Sequence, residues 1–92
     1  MDKKYLNYTI LSLDTSTKNL SMCLYKNGKF YEENIQSEDH SENLTKILDK
    51  ILKKTKTKLN QITHLLVNIG PGSFTGLRIG LSFVKTLALN LN

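Results

Sequence analysis

A chain of 92 residues, 39% apolar and 23% charged, has room for one small domain that buries about two-thirds of its unfolded surface. No apolar run approaches the ~20 residues of a membrane span. The opening MDKKYLNYT lacks the apolar stretch and small-residue cleavage site of a signal peptide. The net charge of +5 rests on thirteen basic residues, twelve of them lysine, with six between Lys46 and Lys58. Arginine is the better reader of phosphate and base edges, so this excess reads as a solvated lysine face, with at most indirect contact to nucleic acid. Cys23 is the single cysteine, which excludes an internal disulfide and a cysteine metal cluster and points to a reducing cytoplasm.

Taken in chain order, YTILSLD from Tyr8 to Asp14 is a short apolar run ending in an acid and reads as a mostly buried strand. In LSMCLYKNGKFYEENI, Leu20, Met22 and Leu24 alternate with smaller or polar residues, and Asn27-Gly28 offers the two positive-φ positions of a type I′ turn. Three antiparallel strands are therefore expected to open the chain. In SEDHSENLTKILDKILKK, Leu44, Ile47, Leu48, Ile51 and Leu52 form one helical stripe. Asp39 and Glu42 have capping-box spacing, and Lys53 and Lys54 suit the negative end of the helix dipole. HLLVNIG, from His64, reads as a buried strand, and from Ser73 onward the pattern is helical, with Ser73 and Thr75 as candidate caps. The order β-β-β-α-β-α predicts an α/β domain, a mixed sheet with helices packed on it.

The segment NIGPGSFTGLRIG holds four of the five glycines and the only proline. It lacks the G-x-x-x-x-G-K-[ST] of a phosphate loop, and Gly70, Gly72 and Gly76 are one residue too far apart for G-x-G-x-x-G. Gly72, Gly76 and Gly80 instead recur every four residues, within an arc of roughly 80° that Phe83 and Leu87 share. Leu77, Leu81, Val84, Ala88 and Leu91 form a second stripe beside it, and Arg78, Ser82, Lys85 and Thr86 the remaining side. Each interior glycine costs roughly 0.5–1 kcal/mol against alanine, so another backbone is expected to come close there. Either the glycine face packs on this domain's own sheet, or one stripe meets the sheet and the other a partner chain; the width of the apolar arc favours the partner.

GPGSFTGLRIG after an apolar strand, LSLDTST near the start and HSENL at the first helix together resemble the TsaB family, bacterial tRNA threonylcarbamoyladenosine biosynthesis proteins related to the glycoprotease-like group. The resemblance implies one ribonuclease-H-like lobe of an actin-like ATPase architecture, with residues 1–92 as a truncated N-terminal lobe short of its last strand. It implies a non-catalytic subunit that pairs with the catalytic homologue TsaD and with a TsaE-type ATPase, in an assembly that transfers threonylcarbamoyl to adenosine beside the tRNA anticodon. ATP and metal are then expected on the partners and no cofactor on this chain. Carried onto these residues, the partner-binding helices correspond to His40–Leu52 and Gly72–Leu91. His40, Glu42, Leu44, Gly72, Phe74, Gly76, Arg78, Gly80, Phe83 and Leu87 are the candidate interface.

Asp14, Thr15, Ser16 and Thr17 stand where such ATPases carry a phosphate turn, but Ser16 replaces the glycine that lets backbone approach phosphate. The turn is therefore read as vestigial, closed by side-chain-to-backbone bonds. A homodimer using the same helix face is the alternative from another class. A metal-dependent nuclease is the remote one, since Asp14 and Glu42 are not joined by an acid in HLLVNIG, which offers Asn68. His40 and His64 are too few for a zinc site, and Ser73 and Thr75 have no paired base.

Overall fold

A computed structural model describes residues 7–36, 40–68, 70–72 and 74–91, the side chains of 40, 41, 74 and 91 lying outside that description. Strands β1 (Thr9–Asp14), β2 (Asn19–Lys26) and β3 (Lys29–Gln36) are followed by α1 (His40–Lys54), a 3₁₀ turn (Leu59–Gln61), β4 (His64–Val67) and α2 (Phe74–Leu91). This is the expected order. The expected caps at Asp39 and Ser73 lie outside the described residues.

The sheet runs β3-β2-β1-β4. The β2–β3 hairpin closes between Lys26 and Lys29, with Asn27 at φ 54° and Gly28 at φ 79°, the backbone a type I′ turn requires. Alternation then puts Leu11, Leu13, Leu20, Met22 and Leu24 on one face, all buried. The α1 stripe covers that face: Leu44, Ile47, Leu48 and Ile51 are buried in the same core, with Ile62 and Leu87. Helix α1 lies over β2 and β3, and α2 over β4 and β1.

Helix α1 ends without glycine. Lys56 adopts φ 53°, Thr57 N–H donates to the Leu52 carbonyl at 2.9 Å and Lys56 N–H to that of Lys53 at 3.2 Å. This is a Schellman pair in which lysine takes the left-handed position, at a cost of about 1–2 kcal/mol that glycine would avoid. Thr57, buried, steadies the same turn by accepting from the Lys26 ammonium at 2.9 Å.

Strand β4 runs parallel to β1, pairing Leu11 with Leu65 and Leu13 with Val67. Thr63 starts the ladder: its N–H donates to the Thr9 carbonyl at 2.8 Å and its hydroxyl oxygen accepts from Thr9 N–H at 2.9 Å. The expectation of a buried strand is corrected here. β4 is the sheet's edge among the described strands, covered by α2 on one face, and Leu66, pointing to the other, is 56% exposed.

Candidate functional site

The turn after β1 is densely bonded. Asp14 Oδ1 accepts from Ser16 N–H at 2.9 Å, the Ser16 hydroxyl at 2.6 Å and the Asn68 amide at 3.2 Å. The Ser16 hydroxyl bond holds the Asp14 carboxyl below the ordinary aspartate value, with burial opposing and the Ser16 amide and Asn68 assisting. Thr17 closes the turn on Asn19, accepting from its N–H at 3.1 Å. Thr15, fully buried, donates its hydroxyl to the carbonyl of Gly76 in α2. Asp14 Oδ1 and the Thr15 and Ser16 hydroxyls are thus bonded within the fold.

The glycine face of α2 seats on that same turn. A Cβ at Gly80 would strike the Thr15 hydroxyl and lie 3.4 Å from Thr15 Cβ and Cγ2. A Cβ at Gly72 would meet Ser16, with its carbonyl oxygen at 2.8 Å and its Cα at 3.0 Å. Gly72 and Gly80, expected at a partner interface, make room for Ser16 and Thr15 of their own chain, and the Gly76 carbonyl accepts the Thr15 hydroxyl. Leu44 and Leu87 are core residues, 1% and 6% exposed, and cannot supply a surface on their own. Glu42 is exposed and pairs with Lys46 at 3.6 Å, Arg78 is exposed, and Phe83 is half-buried. The side chains of His40 and Phe74 lie outside the described residues.

What the two helices leave open is a groove of about 590 Å³ between them. Leu44, Ile79 and Phe83 give it an apolar floor, and Thr45, Thr75, Ser82 and Thr86 a hydroxyl rim with Arg78 at one side. A shallow apolar floor inside a polar rim is the anatomy of a protein-contact surface, whose centre excludes charge. Thr45, Thr75, Ile79, Ser82 and Thr86 lie on the two helices expected to bind a partner but were not among the ten residues singled out there. The signal for Ile79 was its place four residues before Phe83, on the edge of the apolar arc toward α1. The rim hydroxyls carried none, because a groove belongs to a pair of helices and not to either pattern.

A smaller hollow of about 380 Å³ lies on the opposite face of the sheet, among Ser12, Asp14, Cys23, Glu32, Leu66 and Asn68. Burial, and then the nearby Glu32 charge, push the Cys23 thiol up. No three His, Cys, Asp or Glu side chains converge there or elsewhere among the described residues. His64 stacks on Tyr8 with ring centroids 4.4 Å apart and bonds Thr63 at 2.9 Å, consistent with a strand-starting role. No described helix is long and apolar enough to cross a membrane.

Three antiparallel strands, a parallel fourth, and two helices on one face define an α/β lobe of the ribonuclease-H-like class. Comparison narrows the class. The family described as TsaD, tRNA N6-adenosine threonylcarbamoyltransferase, matches residues 33–92. The chain is 41% identical over 91 residues to the tRNA threonylcarbamoyladenosine biosynthesis protein TsaB of Buchnera aphidicola subsp. Baizongia pistaciae, covering 91% of this chain and 38% of that protein. It is 37% identical to TsaB of Haemophilus influenzae, covering 89% of this chain and 35% of that protein. The solved structure of YeaZ from Pseudomonas aeruginosa superposes with a TM-score of 0.87 at 30% identity, over 91% of this chain and 40% of that one. The chain belongs to this family, in its TsaB group, and spans roughly two-fifths or less of these relatives' length.

Proposed function

We propose that the chain acts as a non-catalytic partner subunit that supports a TsaD-type transferase in threonylcarbamoyl transfer to the adenosine beside the tRNA anticodon. The α1–α2 groove carries this reading, because its apolar floor is left uncovered between the two helices. The partner is a homologous TsaD-type lobe presenting its own helix pair, with a TsaE-type ATPase joining the assembly. The internal satisfaction of Asp14, Thr15 and Ser16 supports assigning nucleotide and metal to those subunits. Four lysines of α1 are ion-paired, with Glu42, Asp49 and Glu33, which supports tRNA contact only through the complex. Residues 1–92 are read as the first lobe of such a subunit.

Co-purification with the cognate TsaD-type protein, followed by size-exclusion chromatography with light scattering, tests the reading. A one-to-one complex is expected, and Ser82→Trp, which fills the groove from an exposed position, should abolish it while circular dichroism stays unchanged. A complex indifferent to Ser82→Trp, or a mass showing only pairs of this chain, would overturn it.

A further inference from the structure

We infer that Thr15 is a positioning residue for the groove: its side chain, seated in the notch that Gly80 leaves, sets how deep α2 lies on the sheet and so how wide the α1–α2 groove opens. The inference rests on the partner reading above for its biological consequence, but its geometry stands alone.

Thr15 directly follows β1, a strand paired on both sides, so its position is fixed by the sheet. It is fully buried and makes two contacts on one turn of α2. Its hydroxyl donates to the Gly76 carbonyl, and its hydroxyl and methyl occupy the space a side chain at residue 80 would need. The two features require each other. A helix close enough for that hydrogen bond can carry no Cβ at 80, and a helix with a Cβ there would stand off from the bond.

Among the described side chains of α2, only Leu87, two turns further on, belongs to the buried core; Ile79, Phe83 and Val84 pack against the core only in part. Gly72 gives a second seat at the entrance to the helix, against Ser16 backbone that cannot rotate away. Thr75, Arg78, Ile79 and Ser82, which line the groove, sit on the same turns as Gly76 and Gly80. Restoring ordinary separations of roughly 3.5–4.0 Å around a new Cβ at 80 requires α2 to lift by ~1 Å or Thr15 to abandon its rotamer. Either change reaches the groove wall directly.

A four-cornered comparison tests this: wild type, Gly80→Ala, Thr15→Ala and the double variant. It is read by methyl and amide NMR shifts of Ile79 and Thr86 and by affinity for the cognate TsaD-type partner. Affinity is compared only among chains shown to be folded, because loss of stability alone leaves the affinity of the folded fraction unchanged. Gly80→Ala is expected to shift both signals and weaken binding roughly ten-fold, and Thr15→Ala in the same chain to restore binding to within about three-fold. Should Gly80→Ala fail to fold, the double variant and Thr15→Val, which keeps the volume and removes the donor, carry the test. Groove signals that coincide with wild type in every folded variant, or a double variant as weak as Gly80→Ala, would overturn the inference. Failure of the wild type to bind the partner would overturn the partner reading instead, and the NMR cycle would still decide the role of Thr15.

Discussion

The two helices solve the same packing problem in opposite ways. Helix α1 has a narrow apolar stripe, and four of its five members are buried in the core. Its outer face is dense with charge and tied by ion pairs at 2.7–3.6 Å. Helix α2 has apolar residues on two flanks, of which only Leu87 is buried among the described side chains, while Leu81 and Leu89 are 39% and 76% exposed. It is held near its start by glycines fitted to a turn. A helix made for its own core has no surface left over; one with half-buried Ile79 and Phe83 has surface that a neighbour must finish.

Truncation on each helix sharpens the contrast. Ile51→Ala, at a fully buried α1 position, should destabilise by about 2–5 kcal/mol in urea unfolding, enough to threaten a domain of this size. Leu89→Ala, the matching truncation at an exposed α2 position, should stay within ~0.5 kcal/mol. Comparable losses at the two sites would break the distinction between an anchored helix and an open one. Thr15→Val should fall between them, at about 0.5–1.5 kcal/mol, since one buried donor is lost and its volume kept.

How much of this was legible in the sequence depends on what each pattern encodes. The stripe in α1, the Asn27-Gly28 turn and the strand alternation are local, and local periodicity determined them. Periodicity also showed that Gly72, Gly76 and Gly80 share a face. It could not show what the face meets, because Thr15 lies 61 residues before Gly76 and its fit is a matter of size. The exposure of Leu66 escaped for a related reason: an apolar run signals a strand, but burial depends on how many neighbours that strand has. The turn at Asp14–Thr17 was readable as closed, since short polar side chains after a strand bond their own backbone.

The seat of α2 and the outer strap of α1 also respond differently to solution conditions. Asp14 has a folded value below its ordinary one, mainly through the Ser16 hydroxyl. Its contribution is therefore present above the unfolded aspartate value of 3.8 and is lost as pH falls through the lower folded value. Asp14→Asn should flatten the acid limb of the stability profile below about pH 4 and leave neutral stability nearly unchanged in its pH slope. An acid limb as steep as that of the wild type would separate the α2 seat from acid unfolding.

Glu33 gives the smallest effect and the cleanest contrast. Its carboxylate meets Lys54 at 2.7 Å and Lys50 at 3.3 Å, and the Lys54 bond is the main reason its value lies below that of an ordinary glutamate. Like Asp14, it favours the folded state only while ionised, so the sign with pH is the same. The difference is access to salt. The lysines reach it from solvent, where ions screen over about 10 Å at 0.1 M, whereas the hydrogen bonds at Asp14 are short, directional and partly buried. Raising salt should thus erase the difference in melting temperature between wild type and Glu33→Gln, and leave that between wild type and Asp14→Asn in place. If salt erased both, the α2 seat would be held by charge attraction, and the division between a strapped helix and a fitted one would fail at its base.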